Sequence, residues 1–332
     1  MAFVTGLFLI DAPASALNNG EADNIESKVK TIRVGRQDFP YVSAQSFRYW
    51  LRTTLDTYFA DEWNASPVYT EKKGKQQAYT AGDPITYPDD DLFGYMRATK
   101  DETVTRVAPF RTSTLVSVGP VNLVSDFGVM ARLEKEEGDK EGVLLHQHQF
   151  YRTTLQGLFS LDLNAAGTFT NQLRSGFQNL GKDASEQAET QGLHKDESLK
   201  AYRLPVTERI RRVQVLLRAL GRVEGGAKQS LHYTDVSPAF VMLAVTRGGN
   251  HVFGHSVTTD DNGKPHLHRD ALLQASNALG DDFLSSVYVG RVSGFMDDSQ
   301  STLDELGLST LHPRQAIDAL AADLANHPEW FA

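Results

Sequence analysis

The period of the apolar positions changes several times along the chain, and each change marks an element. Phe3-Val-Thr-Gly-Leu-Phe-Leu-Ile10 is an almost unbroken apolar run, short enough to be a buried strand. A polar loop from Asn18 to about Val29 follows, then Lys30-Thr-Ile-Arg-Val-Gly-Arg36, a basic segment with strand-like alternation. Phe47, Trp50, Leu51, Leu55, Tyr58 and Phe59 recur at helical spacing behind Ser43, a good N-cap, and predict a helix with one apolar face against a sheet. Residues 61–104 are polar, rich in acids and turn formers, and weakly periodic, which is the pattern of an insertion. From Arg111 to Ala131 the chain is β-like, with Thr114-Leu-Val-Ser-Val118 and Val121-Asn-Leu-Val124 separated by Gly119-Pro120. The charged run Glu134 to Gly142 and the strand-rich stretch His146 to Leu163 then predict a long projecting hairpin.

Farther on, Gly181 to Lys200 holds so little apolar material that a mobile loop is expected. Thr207 is the expected cap of a helix over Glu208–Leu220, whose Ile210, Val213, Leu216, Leu217 and Leu220 form a stripe ended by Gly221 or by the Gly225-Gly226 pair. Phe240-Val-Met-Leu-Ala-Val245 suits the middle of a covered sheet, and a last helix is expected around Pro313 to Leu324. The order strand, helix, strands, helix, strand is that of an α+β ferredoxin-like or RNA-recognition-type core.

Composition narrows the function. The 332 residues, 40% hydrophobic and 23% charged, suit one elaborated domain with a substantial core. The absence of cysteine excludes disulfides, thiol catalysis and thiolate metal sites, and a cytoplasmic location follows from it. The apolar opening followed by Ala14-Ser-Ala16 imitates a secretory signal, but Asp11 interrupts it and no basic residue precedes it, so no leader and no membrane span is expected. A net charge of −9 opposes diffuse attraction to nucleic acid. The acids, however, cluster at Asp89-Asp-Asp91, Glu134-Lys-Glu-Glu137, Asp281-Asp282 and Asp297-Asp298, which leaves room for a narrow positive groove on an acidic body.

That groove has a candidate on the first helix. At about 100° per residue, Gln45, Arg48 and Arg52 share a stripe beside the apolar face, and Ser43 with the free first-turn amides adds donors at the positive helix end. Together they suit phosphates. The competing reading, favoured by spacing alone, is that both arginines are solvated and pair with nearby acids.

At this point the residues resemble a known family. Pro40-Tyr-Val-Ser-Ala-Gln-Ser-Phe-Arg-Tyr-Trp-Leu-Arg52 resembles the Ser-x-Gln-Ser-x-(Lys/Arg)-x-x-x-Arg helix of the Cascade backbone subunits of type I CRISPR systems, the seventh Cas protein family; Leu17-Asn18 and Gly35-Arg36 fit as well. Asp126-Phe-Gly-Val-Met-Ala-Arg132 is similar to the family's segment before the thumb, and His146-Gln-His-Gln-Phe150 to the returning strand. Gly225-Gly226-Ala-Lys-Gln-Ser230 with Asp235-Val-Ser-Pro238 resembles the DevR branch associated with type I-B systems. The matches run in order over about two-thirds of the chain. Val129 departs from a position that is often basic in relatives, and the thumb tip is strongly acidic.

The resemblance implies a hand-shaped protein: a palm over 1–60, 105–119 and 152–280, a finger insertion over 61–104, a thumb hairpin over 120–151 and a C-terminal helical extension over 300–330. It implies a non-catalytic scaffold without cofactor, copies of which line up along a guide crRNA beside other Cascade subunits and present the guide to target DNA. Its implied RNA contacts are Ser43, Gln45, Ser46, Arg48, Arg52, Arg36, Met130 and Arg132, with Met130 wedging a displaced nucleotide. Lys228 and Gln229 join them behind Gly225-Gly226, a pair that is also a plain helix stop.

Other functions leave weaker traces. His146 with His148, His266 with His268, and His251 with His255 have ligand-like spacings, but no His-Glu-x-x-His pattern unites them, so satisfied or solvated histidines are expected. A metal-dependent RNA endonuclease, as in related type III backbone subunits, would use Asp38, which sits in a turn-like Asp-Phe-Pro without a second carboxylate. A DNA-binding regulator would need a duplex-reading element, and no helix-turn-helix supports one.

Overall fold

The structure is a computed structural model and describes residues 1–23, 26–73, 75–98, 102–130, 144–172 and 174–332. Its main elements are β1 (Ala2–Ser15), β2 (Gln37–Val42), α1 (Ala44–Tyr58), α2 (Pro88–Phe93), β3 (Val124–Met130), β4 (Leu144–Asp162), α3 (Val206–Leu220), β5 (Phe240–Arg247), β6 (Tyr288–Arg291) and α4 (Pro313–Asn326).

The opening apolar run is the middle of the large sheet. β1 pairs antiparallel with β4, Phe3 facing Asp162 and Ile10 facing Leu155, and on its other side with β5, Ala2 facing Arg247 and Leu9 facing Phe240. Both of its faces are covered, which is why it reads as a run instead of an alternation. Val4, Phe8 and Ile10 pack with Phe47, Trp50, Leu51 and Leu55 of α1, Val213, Leu216 and Leu217 of α3, and Ile317, Leu320 and Leu324 of α4. Leu7 and Leu9 pack on the opposite side with Met242, Ala244, Val252, Phe253 and Leu267. Phe8 lies across Gly157, where a Cβ would meet its ring at 2.2 Å, and stacks on Phe47 at 4.9 Å.

From β5 the sheet continues through β6 to Thr310–Leu311. In the other direction Leu115–Ser117 follows β4, then β2 and the edge strand Thr31–Val34; Phe110–Thr112 also pairs with β4. β4 serves two structures. Its residues from Tyr151 to Asp162 pair with β1, and from Leu144 to Phe150 they pair with β3, Val124 facing Phe150 and Met130 facing Leu144. The two-stranded ribbon β3–β4 is the base of the expected hairpin; the tip, Glu134 to Gly142, lies outside the described residues.

Two expectations need correction. Gly181 to Lys200 is not an unstructured loop: Lys182–Thr190 is helical and His194–Asp196 is a strand, because Leu180, Ala188 and Leu193 join Ile85, Phe169, Tyr202 and Leu204 in a small separate core. α3 begins two residues earlier than the Thr207 cap would place it, with Pro205 as N-cap and no side-chain cap bond. The acid cluster at 89–91, which the sequence leaves unplaced, is buried. Asp89, Asp90 and Asp91 are 5%, 0% and 0% exposed, on a short helix that the polar surroundings in sequence do not reveal. Among the described residues no helix is long and apolar enough to cross a membrane.

Candidate nucleic-acid interface

The start of α1 is built by its own side chains. Ser43 Oγ accepts from the Ser46 amide at 3.2 Å and lies 2.9 Å from Ser46 Oγ, which donates to Asn18 Oδ1 at 3.3 Å; Asn18 Nδ2 in turn reaches the Tyr41 carbonyl at 3.2 Å. The expected cap is therefore present, and it fixes the end of β1 to the first turn. The amides of Ala44 and Gln45 have no intrahelical acceptor and sit at the positive end of the helix, with Gln45 exposed.

The arginine stripe has a different surrounding. Arg48 donates through Nη2 to the Phe93 carbonyl, and its guanidinium lies 5.5 Å from the Phe93 ring centre. Burial and the neighbouring Arg52 bring the Arg48 guanidinium down to about 10, so it stays charged at neutral pH. Arg52 donates to Asp89 at 2.7 Å and stacks on Phe93 at 4.3 Å, with 33% of its side chain exposed. Both arginines thus clamp α2 onto α1. Asp89 is 37 positions from Arg52, so no local pattern could have announced the pair.

The glycine pair is a close approach. Gly225, at φ +152, lies against Trp50 of α1, where a Cβ would meet the indole at 2.3 Å; Gly226, at φ +100, lies against Leu17. The Ala227 amide donates to the Leu17 carbonyl at 3.0 Å. α3 has already ended at Gly221, which is right-handed, so the pair is not its stop. Gln229 donates through Nε2 to the carbonyls of Gly225 and Thr234, bracing the loop, while Lys228 is left-handed (φ 56) and half-buried. Beyond it, His232 meets His148 at 5.7 Å and Phe150 at 5.5 Å between ring centres.

The structure thus brings together Leu17-Asn18, the start of α1, the Gly225–Gln229 loop and the base of the β3–β4 ribbon. Arg36 stands apart, exposed in the turn between Thr31–Val34 and β2. Met130 ends β3, and Arg132 lies outside the described residues. Sequence reasoning missed Tyr233, a non-glycine residue at φ 48 whose side chain is almost wholly exposed; the pair His146 and His148, expected on one face of the returning strand, does share that face of β4 with Phe150.

Asp38 accepts a two-pronged bond from Arg33, 3.0 Å from Nε and 3.0 Å from Nη2, and that bond holds its carboxyl below the usual range. Among the described residues no three acids, histidines or cysteines are grouped as a metal site would need.

With this geometry in hand, residues 8–262 match the family described as CRISPR-associated negative auto-regulator DevR/Csa2. The chain belongs to that family. Two solved structures share the fold of this DevR/Csa2 protein. One is a chain of a CRISPR RNA-guided surveillance complex in its pre-nicking form, with a TM-score of 0.61 and 14% identity over 97% of this chain and 100% of that one. The other is a chain of a CRISPR RNA-guided surveillance complex with a TM-score of 0.55 and 17% identity over 97% and 99%. At such identities the likeness is one of fold. Comparison with curated proteins gives no match.

Proposed function

We propose that this DevR/Csa2 protein is a non-catalytic backbone subunit of a type I surveillance complex, coating guide crRNA in several copies and presenting it to target DNA. The observation that carries the reading is the seating of Gly225 and Gly226 on Trp50 and Leu17, which lines Lys228 and the α1 start along the ribbon base. Free amides at a helix start and a close glycine backbone suit a phosphate chain. The strand order β5-β1-β4-Leu115–Ser117, with α1 and α3 on one face, supports an RNA-recognition-type palm, and the ribbon supports a thumb over 120–151. In this reading Ser43 and Ser46 shape the helix start. Gln45, Arg36, Lys228 and the exposed part of Arg52 meet phosphates, Gln229 braces the loop, and Met130 and Arg132 belong to the thumb.

The test is to express the protein with its genomic neighbours and a matching CRISPR array, then sequence the RNA that copurifies. Uniform repeat-flanked guides, depleted in an Arg36→Ala/Lys228→Ala variant, are expected. An RNA-free protein that binds duplex DNA without a guide would overturn the reading in favour of a regulator; Mg²⁺-dependent cutting lost in Asp38→Ala would overturn its non-catalytic part.

A further inference from the structure

Beside the Gly225–Gln229 loop lies a cleft of about 680 Å³ between the segment after α3, residues 233–237 and the start of α4. Its size is that of an ordinary small-ligand site. Tyr233, 94% exposed, stands at its rim, held there by a left-handed backbone and by the bond from its amide to the Gln229 carbonyl at 2.8 Å. A bulky residue rarely adopts that conformation, and the Gln229 brace keeps the turn that imposes it.

The charges in the cleft are unequally committed. Glu224 takes the Tyr58 hydroxyl, and Asp235 takes the Ser237 amide at 2.8 Å. Arg222 lies 5.8 Å from the Phe59 ring, Arg314 gives its Nε to the Gly221 carbonyl at 3.0 Å, and both guanidiniums lie within electrostatic reach of the Tyr58 hydroxyl that Glu224 holds. Among the described residues no carboxylate is within ion-pair distance of either guanidinium. Two guanidiniums without an ion-pair partner and one exposed aromatic residue along the same cleft suit a phosphate and a base at once.

We infer that this cleft binds one nucleotide unit, the base stacked on Tyr233 and the phosphate held between Arg222 and Arg314. That unit is either a residue of the bound RNA, which rests on the function proposed above, or a free ribonucleoside monophosphate, which does not. The wild-type protein, Tyr233→Ala, Tyr233→Phe and Arg222→Ala/Arg314→Ala are titrated with single-stranded RNA and, separately, with AMP and UMP by calorimetry. Stacking on one base makes a loss of about tenfold in affinity the expected effect of Tyr233→Ala and of the double variant, with Tyr233→Phe near wild type. Loss in the RNA arm alone assigns the cleft to the bound RNA; loss in the mononucleotide arm assigns it to a free nucleotide, even if RNA does not bind and the proposed function falls. Wild-type RNA affinity in both variants, with no mononucleotide binding, overturns the cleft and leaves the proposed function standing. Tyr233 is exposed, so its variants keep the fold and an unfolded sample does not confuse the result.

Discussion

Two sets of arginines in this acidic protein do opposite things. Where α2 meets α3, Arg106 and Arg212, each with 3% of its side chain exposed, converge on the fully buried Asp91. Arg106 also donates to the carbonyls of Asp91, Ala165 and Thr168, and Arg212 to those of Pro84 and Ile85. Around the glycine loop and cleft, Arg222 and Arg314 have no carboxylate partner among the described residues, and Arg36 is exposed in its turn. A buried guanidinium must have its donors satisfied inside the protein, whereas an exposed one is satisfied by water until an anion displaces it. The −9 net charge therefore says little about where a polyanion binds, because part of the cationic charge is locked inside.

The contrast can be broken at the hub first. Asp91→Ala leaves two buried guanidiniums without their shared carboxylate and should cost roughly 3–5 kcal/mol, read as a lower denaturant midpoint. Gly225→Ala forces a Cβ into Trp50 at an unfavourable φ and should cost about 1–3 kcal/mol, with a change in the near-ultraviolet signal of the indole. Arg52→Ala sits between the two sets. Losing the partly exposed arginine leaves the buried Asp89 without its ion pair and should cost about 1–3 kcal/mol in thermal unfolding, and an unchanged RNA affinity in that variant would move Arg52 wholly to the structural set.

A smaller effect appears with pH. Burial raises the Asp90 carboxyl against the lowering bonds from Ser66 and the Asp83 amide. The folded protein then holds this proton more tightly than the unfolded chain, so the associated stability is full below 3.8 and lost as pH rises through the raised value. Asp90→Asn should flatten the pH dependence of the unfolding midpoint in that window, and an unaltered profile would remove Asp90 as its source. Least affected should be the stability of Arg36→Ala/Lys228→Ala, within about 0.5 kcal/mol, while its RNA affinity falls and the salt slope shrinks by about 1 per lost phosphate contact.

Periodicity by itself determined the helix at 44–58 with its Ser43 cap, the central runs at 3–10 and 240–245, the long strand after the hairpin and the last helix, because each is a local pattern that burial of one or both faces imposes. The Pro40–Arg52 and Gly225–Ser230 motifs likewise pointed to the family before any contact was known. What the tertiary structure decided was the fate of the polar residues. Whether Arg48, Arg52 and Asp89–Asp91 face water or one another depends on how an insertion of some forty residues folds back onto the body, and that is a contact between positions far apart in the chain. Apolar residues reveal their side by spacing; a charged residue is defined by its partner, and only the fold supplies the partner.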